Sequence, residues 1–183
     1  MKIYKLILII YAFSLGSSFA QSTNCYPDTT LEWFGISMYP NAPKANFFSK
    51  KIAIEGVEIY SNIYKAMTVF GDTINHIKSK TIYDEDVPDS QIDKWLHEYY
   101  FNGVKVTTYG NEILSVVCCN PKYKTPDGFF VGQSIDEIIN KYPEISISKD
   151  SGTFGISLYA HEGLEILFID RKIIGIKIMS FAG

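Results

Sequence analysis

Apolar positions follow two different periods in this chain. From Ser134 to Tyr142, the apolar residues Ile135, Ile138, Ile139 and Tyr142 recur at i, i+3, i+4 and i+7, which places them on one face of a helix. Ser134 can cap that helix, and Glu137 three residues later can return a hydrogen bond to the cap's N–H. Pro143 stops it, because the residue before a proline is pushed out of the α region. Gly132 sits where a short strand turns sharply into the helix, a place that favours a residue without Cβ. Elsewhere the period is two. Val104–Tyr109 alternates, turns at Gly110-Asn111 and continues from Ile113 to Cys118. Leu164 to Phe168, a turn at Asp170-Arg171, and Ile173 to Met179 form a second hairpin of the same layout.

The two regions echo each other. Phe70-Gly71-Asp72-Thr73-Ile74-Asn75-His76-Ile77 lines up with Val131-Gly132-Gln133-Ser134-Ile135-Asp136-Glu137-Ile138. Downstream, Tyr99, Gly103, Val104, Val106 and Ile113-Leu114 answer to Tyr159, Gly163, Leu164, Ile166 and Ile173-Ile174, with the offset held near sixty residues. This alignment predicts a strand from Tyr64 to Phe70 feeding Gly71, and a first helix from Thr73 to about Lys80. Residues 94–101 could be a helix capped by Asp89 or Ser90, but their aromatics and their repeat partner favour a strand. Ile52 to Tyr60 reads as a strand, or as a hairpin broken at Glu55-Gly56. The expected fold class is α+β: two tandem helix-plus-antiparallel-meander units, 51–121 and 125–183, sharing one sheet with the helices on one face. Residues 21–50 are irregular, with Pro27, Pro40 and Pro43. Within them Thr30 to Tyr39 is a short helix or strand, and Trp33 and Phe34 are expected to pack on the sheet. Tyr83 to Ser90 is an acidic loop.

Residues 1–20 carry a different pattern. Lys2 and Lys5 precede a mostly apolar run from Leu6 to Leu15, too short for a membrane span, and Ser18-Phe19-Ala20 supplies small residues for cleavage before Gln21. The reading is a signal peptide on an exported protein, periplasmic or secreted, with no membrane span after cleavage. A lipid anchor would need a cysteine where Ser17 stands. Without Lys2 and Lys5, 15 basic residues face 20 acidic ones, a charge of −5 that disfavours nucleic acid as a partner. Export permits a disulfide. The expectation is Cys25 bonded to Cys118 or Cys119, with the choice between these two neighbours open.

No catalytic constellation is legible. His76, His97 and His161 stand apart in sequence and read as surface residues, with His76 on the polar face of the first helix. His161-Glu162 lacks the second histidine of H-E-x-x-H, and Gly132-Gln133-Ser134 lacks the second glycine of a nucleophile elbow. No metal site and no cofactor are expected. The strongest compositional signal is aromatic, with 13 Tyr, 12 Phe and 2 Trp, and such residues anchor interfaces. The expected partner-binding residues are Trp95, Tyr99, Lys105, Thr107, Tyr109, Glu165 and Lys177, lining an open sheet face that docks another protein. A small-ligand site for a lipid or glycan on the same face is the alternative.

The G-x-[ST]-I-x-x-I segments, Gly132 to Ile138 and Gly71 to Ile77, each followed by a Tyr/Gly hairpin, resemble two related families. One is the tandem β-lactamase inhibitor protein fold; the other is the small lipoprotein subunit of the outer-membrane β-barrel assembly machinery. The resemblance spans about residues 64–183 and rests on a short motif. It implies that the segment is a structural strand-to-helix junction, and that the chain is a non-catalytic protein-binding sheet of the inhibitor, immunity or envelope-assembly type. The chain departs from the resemblance in two ways: it has no lipid-anchor cysteine and no paired cysteines within each unit.

Overall fold

The computed structural model describes residues 52–79, 96–142, 147, 150–159 and 162–180, with the backbone alone for 153–159. Residues 1–51, the acidic loop, Trp95, Pro143 and His161 lie outside the described residues. So do the expected signal peptide and Cys25.

The chain opens with a small hairpin, β1 (Ala53–Ile54) and β2 (Val57–Glu58). Glu55 and Gly56 both take positive φ between them, the conformation of a two-residue turn that matches strand twist. Helix α1 follows at Ile63–Phe70, then β3 (Asn75–Ser79), β4 (Leu96–Phe101), β5 (Val104–Tyr109) and β6 (Glu112–Cys118). Helix α2 spans Ile135–Lys141 and leads to β7 (Gly152–Tyr159), β8 (Glu162–Ile169) and β9 (Lys172–Ser180). The class is mixed α+β. Strands β3 to β9 form one antiparallel sheet in the order β3-β4-β5-β6-β9-β8-β7.

Two sequence expectations fail here, and they fail together. Residues 64–70 are helical, and the segment expected to be the first helix is strand β3, exposed along its whole length. The physical reason is visible in the side chains. Asn62 caps the helix by accepting the Tyr64 N–H at 3.0 Å, and Ile63, Ala66, Met67 and Phe70 form the apolar stripe. Gly71, at φ 89, terminates α1 and does not begin a helix. Gly71 and Gly132 therefore stand at opposite ends of their helices. Ile74 and Ile77 are 62% and 44% exposed, whereas the residues aligned with them, Ile135 and Ile138, are buried.

Helix α2 lies where the periodicity puts it. Ser134 Oγ accepts the Asp136 N–H at 3.1 Å, and the carboxylate approaching that hydroxyl belongs to Asp136 and not to Glu137. Arg171, in the β8–β9 turn, forks onto the same Asp136, with Nε at 3.1 Å. The expected strand before Gly132 is reduced to a single bridge between Lys124 and Phe130.

Both helix starts are held by the same contacts. Tyr60 N–H donates to Ile113 O (2.8 Å), Ile113 N–H to Ser61 O (2.9 Å) and Ile63 N–H to Asn111 O (2.9 Å). In the second half Gly132 N–H donates to Ile173 O (2.7 Å), Ile173 N–H to Gln133 O (2.9 Å) and Ile135 N–H to Arg171 O (2.9 Å). A β-bulge falls between Thr107 and Thr108 in one hairpin and between Leu167 and Phe168 in the other. At the centre of the sheet Val117 stands opposite Lys177.

The junction demands positive φ: Tyr60 adopts 64° and Gly132 adopts 94°. A Cβ at Gly132 would meet nothing within 4 Å, so Gly132→Ala should cost only the conformational term, about 1–2 kcal/mol. Thermal or urea unfolding measures it, and a loss near zero would mean that the turn relaxes into another conformation.

Alternate strand residues form one core with both helices: Phe101, Val104, Val106, Val116, Cys118, Ile176, Ile178, Ile166 and Leu164, against Ile63, Phe70, Ile135 and Ile138. Phe70 packs edge-on to Tyr123 at 5.0 Å and tilted on Phe101 at 5.7 Å.

Candidate functional site

The residues that alternate with the core form the second face of the sheet, and the strand register orders them. One row crosses six strands: Tyr100 opposite Lys105, Lys105 opposite Val117, Val117 opposite Lys177, Lys177 opposite Glu165, and Glu165 opposite Gly155. The next row carries Ile77, Glu98, Thr107, Ser115 and Met179. None of these residues belongs to the core cluster. Five of the expected binding residues, Lys105, Thr107, Tyr109, Glu165 and Lys177, thus share one face, as period-two alternation requires.

Tyr99 does not join them. It pairs with Val106, packs against the core side and stacks on His76 at 4.3 Å. The Asn102-Gly103 turn sets Phe101 opposite Val104, and that register decides the parity of the whole strand. Trp95 lies outside the described residues.

The β4–β5 end of the second face is partly exposed and polar. Glu98 accepts from Tyr100 Oη at 2.7 Å and from Lys105 Nζ at 3.0 Å. Burial alone would push the Glu98 carboxyl up, but these two hydrogen bonds and the Lys105 charge outweigh it and hold the group below its usual range. Burial and the Glu98 bond push the Tyr100 hydroxyl up to about 12, so it remains a donor at physiological pH. Tyr109 closes this end, 36% exposed. The expected binding residues did not include Glu98 or Tyr100, although Tyr100 belongs to the aromatic cluster of this hairpin; the signal was present as residues alternating with His97, Tyr99 and Phe101.

The β8 end differs. Glu165 is 1% exposed, and neither of its oxygens receives a hydrogen bond within the geometric limits of one. The Lys177 ammonium stands 3.7 Å away. Burial raises the Glu165 carboxyl above its usual range despite the opposing Lys177 charge. Leu167, Val117 and Cys119 are also buried on this side. Glu165 therefore corrects one expectation: it faces the expected side, but a docking partner does not reach it in this structure.

His76 and His97, 21 positions apart in sequence, come together on the core side of the β3–β4 edge. His76 Nε2 lies 2.9 Å from His97 Nδ1, a hydrogen bond between two rings 13° from parallel that meet head to head, with centroids 5.1 Å apart. His76 is a strand residue and not the helical one expected. Burial, His76 and Lys78 lower the His97 pKa. Among the described residues no group of three or more His, Cys, Asp or Glu is arranged to hold a metal ion. Cys118 and Cys119 are both buried, and no disulfide forms among the described residues. No described helix is long and apolar enough to cross a membrane.

No family model matches the chain, and no curated protein matches it. Among solved structures it is similar to a cysteine-rich secretory protein from Staphylococcus aureus, at 14% identity and a TM-score of 0.45. It is also similar to an extracellular protein containing an SCP domain from Bacillus anthracis, at 8% identity and 0.38. Each match covers 67% of this chain, which spans 44% of the other. At these scores neither likeness bears on activity.

Proposed function

We propose that this chain is a non-catalytic exported protein that binds another protein through the second face of its sheet. The observation that carries the reading is the partly exposed surface of Glu98, Tyr100, Lys105, Thr107 and Tyr109. It joins two tyrosines, an ion pair and a hydroxyl on a rigid sheet, the mixture of aromatic anchor and polar rim that protein interfaces use. The chain is read as two copies of one helix-plus-meander unit, with both helices on the core side, leaving the β4–β5 end of the second face to the partner. The matched contacts at Ile63 and Ile135 and the matched bulges support this. The signal-peptide pattern of residues 1–20 supports export. An inhibitor, an immunity factor and an envelope-assembly component all fit.

Photo-crosslinkers placed at Tyr109 and Thr107, with Tyr64 on α1 as control, test it in cells of the source. The expected result is one protein adduct from the first two positions and none from Tyr64, which is 66% exposed. Lys105→Glu, which sets a second carboxylate beside Glu98, should remove the adduct without unfolding the chain. Equal labelling from Tyr64 would overturn the reading. A lipid or glycan adduct in place of protein would favour the small-ligand alternative.

A further inference from the structure

We propose that residues 21–50 of this chain dock across the second face of the sheet at β6, β9 and β8, closing that half and leaving the β3–β5 half open. The argument starts from burial. Val117, Cys119, Gly163, Glu165, Leu167 and Gly175 belong to the second face, and all are buried. At the other end Glu98, Tyr100, Lys105 and Thr107 are only partly buried. The first group is buried within a single chain, so the chain itself supplies what lies on it. The neighbouring positions of the sheet do not. Gly155 stands opposite Glu165, Gly175 opposite Leu167, and Gly163 opposite Met179, so three positions of this patch have no side chain to give. Glycine inside a strand is where another piece of chain comes close. The described segments outside the sheet do not supply the cover either. The β1–β2 hairpin, both helices, Tyr123 and Phe129 pack with the core on the opposite face.

Of the chain outside the described residues, 21–50 fits best. Residues 1–20 carry the signal-peptide pattern and leave on export. Residues 80–95 join β3 to β4, at the far end of the sheet. They would also bring the carboxylates of Asp84, Glu85, Asp86, Asp89 and Asp93 towards the buried Glu165, and like charges there repel. Residues 143–149 follow α2, and Ile147 among them packs on the core side. Residues 160–161 and 181–183 are too few to cover three strands. Residues 21–50 hold only two acids, Asp28 and Glu32, and carry Trp33, Phe34, Ile36 and Met38. A large ring laid on a strand glycine makes the contacts that the missing side chain cannot. Length is no obstacle: such a segment extends to about 100 Å, and seven strands span about 30 Å. Chain arriving at Ile52 on the core side can therefore come from the opposite face.

The test uses the mature chain under reducing conditions, with the alkylation rate of each cysteine read by mass spectrometry. Cys118 belongs to the core and Cys119 to the second face, so neighbouring thiols report on the two sides of the sheet. Both should react at least about tenfold more slowly than in the urea-unfolded chain. Trp33→Ala combined with Phe34→Ala should raise the Cys119 rate about tenfold and leave Cys118 protected. Leu167→photo-leucine, which keeps the side chain's shape, should crosslink to a peptide from residues 21–50. Rapid alkylation of Cys119 in the mature wild type would overturn the proposal and leave the whole second face open to a partner. A Cys119 rate unmoved by the double variant, or a photo-leucine adduct to residues 80–95 or to no part of the chain, would overturn it as well. If the double variant unfolds and both thiols react, the photo-leucine adduct in the otherwise unchanged chain decides. Crosslinks from Thr107 and Tyr109 report on the protein partner separately, so either proposal can fail alone.

Discussion

Ile135→Ala and Ile63→Ala should each lower the unfolding free energy by about 2–5 kcal/mol, a large part of the stability of a domain this size. Both side chains are buried to 1% exposure or less. Each is the first helical residue after its cap, and each is tied by its N–H to the carbonyl of a hairpin turn. Removing three carbons there leaves a cavity that the pinned backbone cannot close. The controls are Ile74→Ala and Ile77→Ala. Had Thr73 to Lys80 been the first helix, these would be core residues with similar losses. As exposed positions beside and within β3 they should cost within about 0.5 kcal/mol. Urea unfolding followed by circular dichroism separates the cases. Equal losses at all four positions would mean that the first helix has been placed in the wrong segment.

Glu165→Gln should raise stability at pH 7 by on the order of 1–3 kcal/mol, the scale of a buried group left without its hydrogen bonds. The folded-state pKa lies above the ordinary value of 4.5. A carboxyl so shifted holds its proton more tightly when folded, so its contribution to stability is greatest below 4.5 and is lost as pH rises through the folded value. The gain from glutamine should therefore be present at neutral pH and vanish near pH 4. Lys177, with a side chain 24% exposed, reaches solvent when its partner is neutral. Denaturant curves at the two pH values measure both numbers. A variant that loses stability at pH 7 would mean that the ion pair outweighs the desolvation of the carboxylate.

Much of this molecule was readable in the chain, and the misreadings have physical causes. Hairpins β5–β6 and β8–β9 announced themselves, because a strand with one buried face must alternate and its turn must contain residues suited to it. Helix α2 was legible for the corresponding reason. Helix α1 carried its own signals, with Asn62 as cap and apolar residues at 63, 66, 67 and 70. They were outweighed by the resemblance of Gly71-Asp72-Thr73-Ile74 to the start of α2. A glycine next to a hydroxyl residue serves a helix's end as well as its beginning, so a short motif could not choose. On the second face, alternation placed Lys105, Thr107, Tyr109, Glu165 and Lys177 together, whereas Tyr99 depended on a turn register that composition does not encode. The contact between His76 and His97 needed the β3–β4 pairing, which no local pattern announces.

On the proposed reading of the chain as two copies of one unit, the pairing of Val117 with Lys177 bears on how such a molecule could arise. In a dimer of two identical half-length chains joined across β6 and its counterpart, the residue on the two-fold axis faces its own copy. Lysine there would set one ammonium against another, so it must be a side chain that tolerates its twin. Fusing the halves into one polypeptide lifts that restriction. One side of the axis can keep an aliphatic group while the other takes a cation, and the site becomes free to diverge.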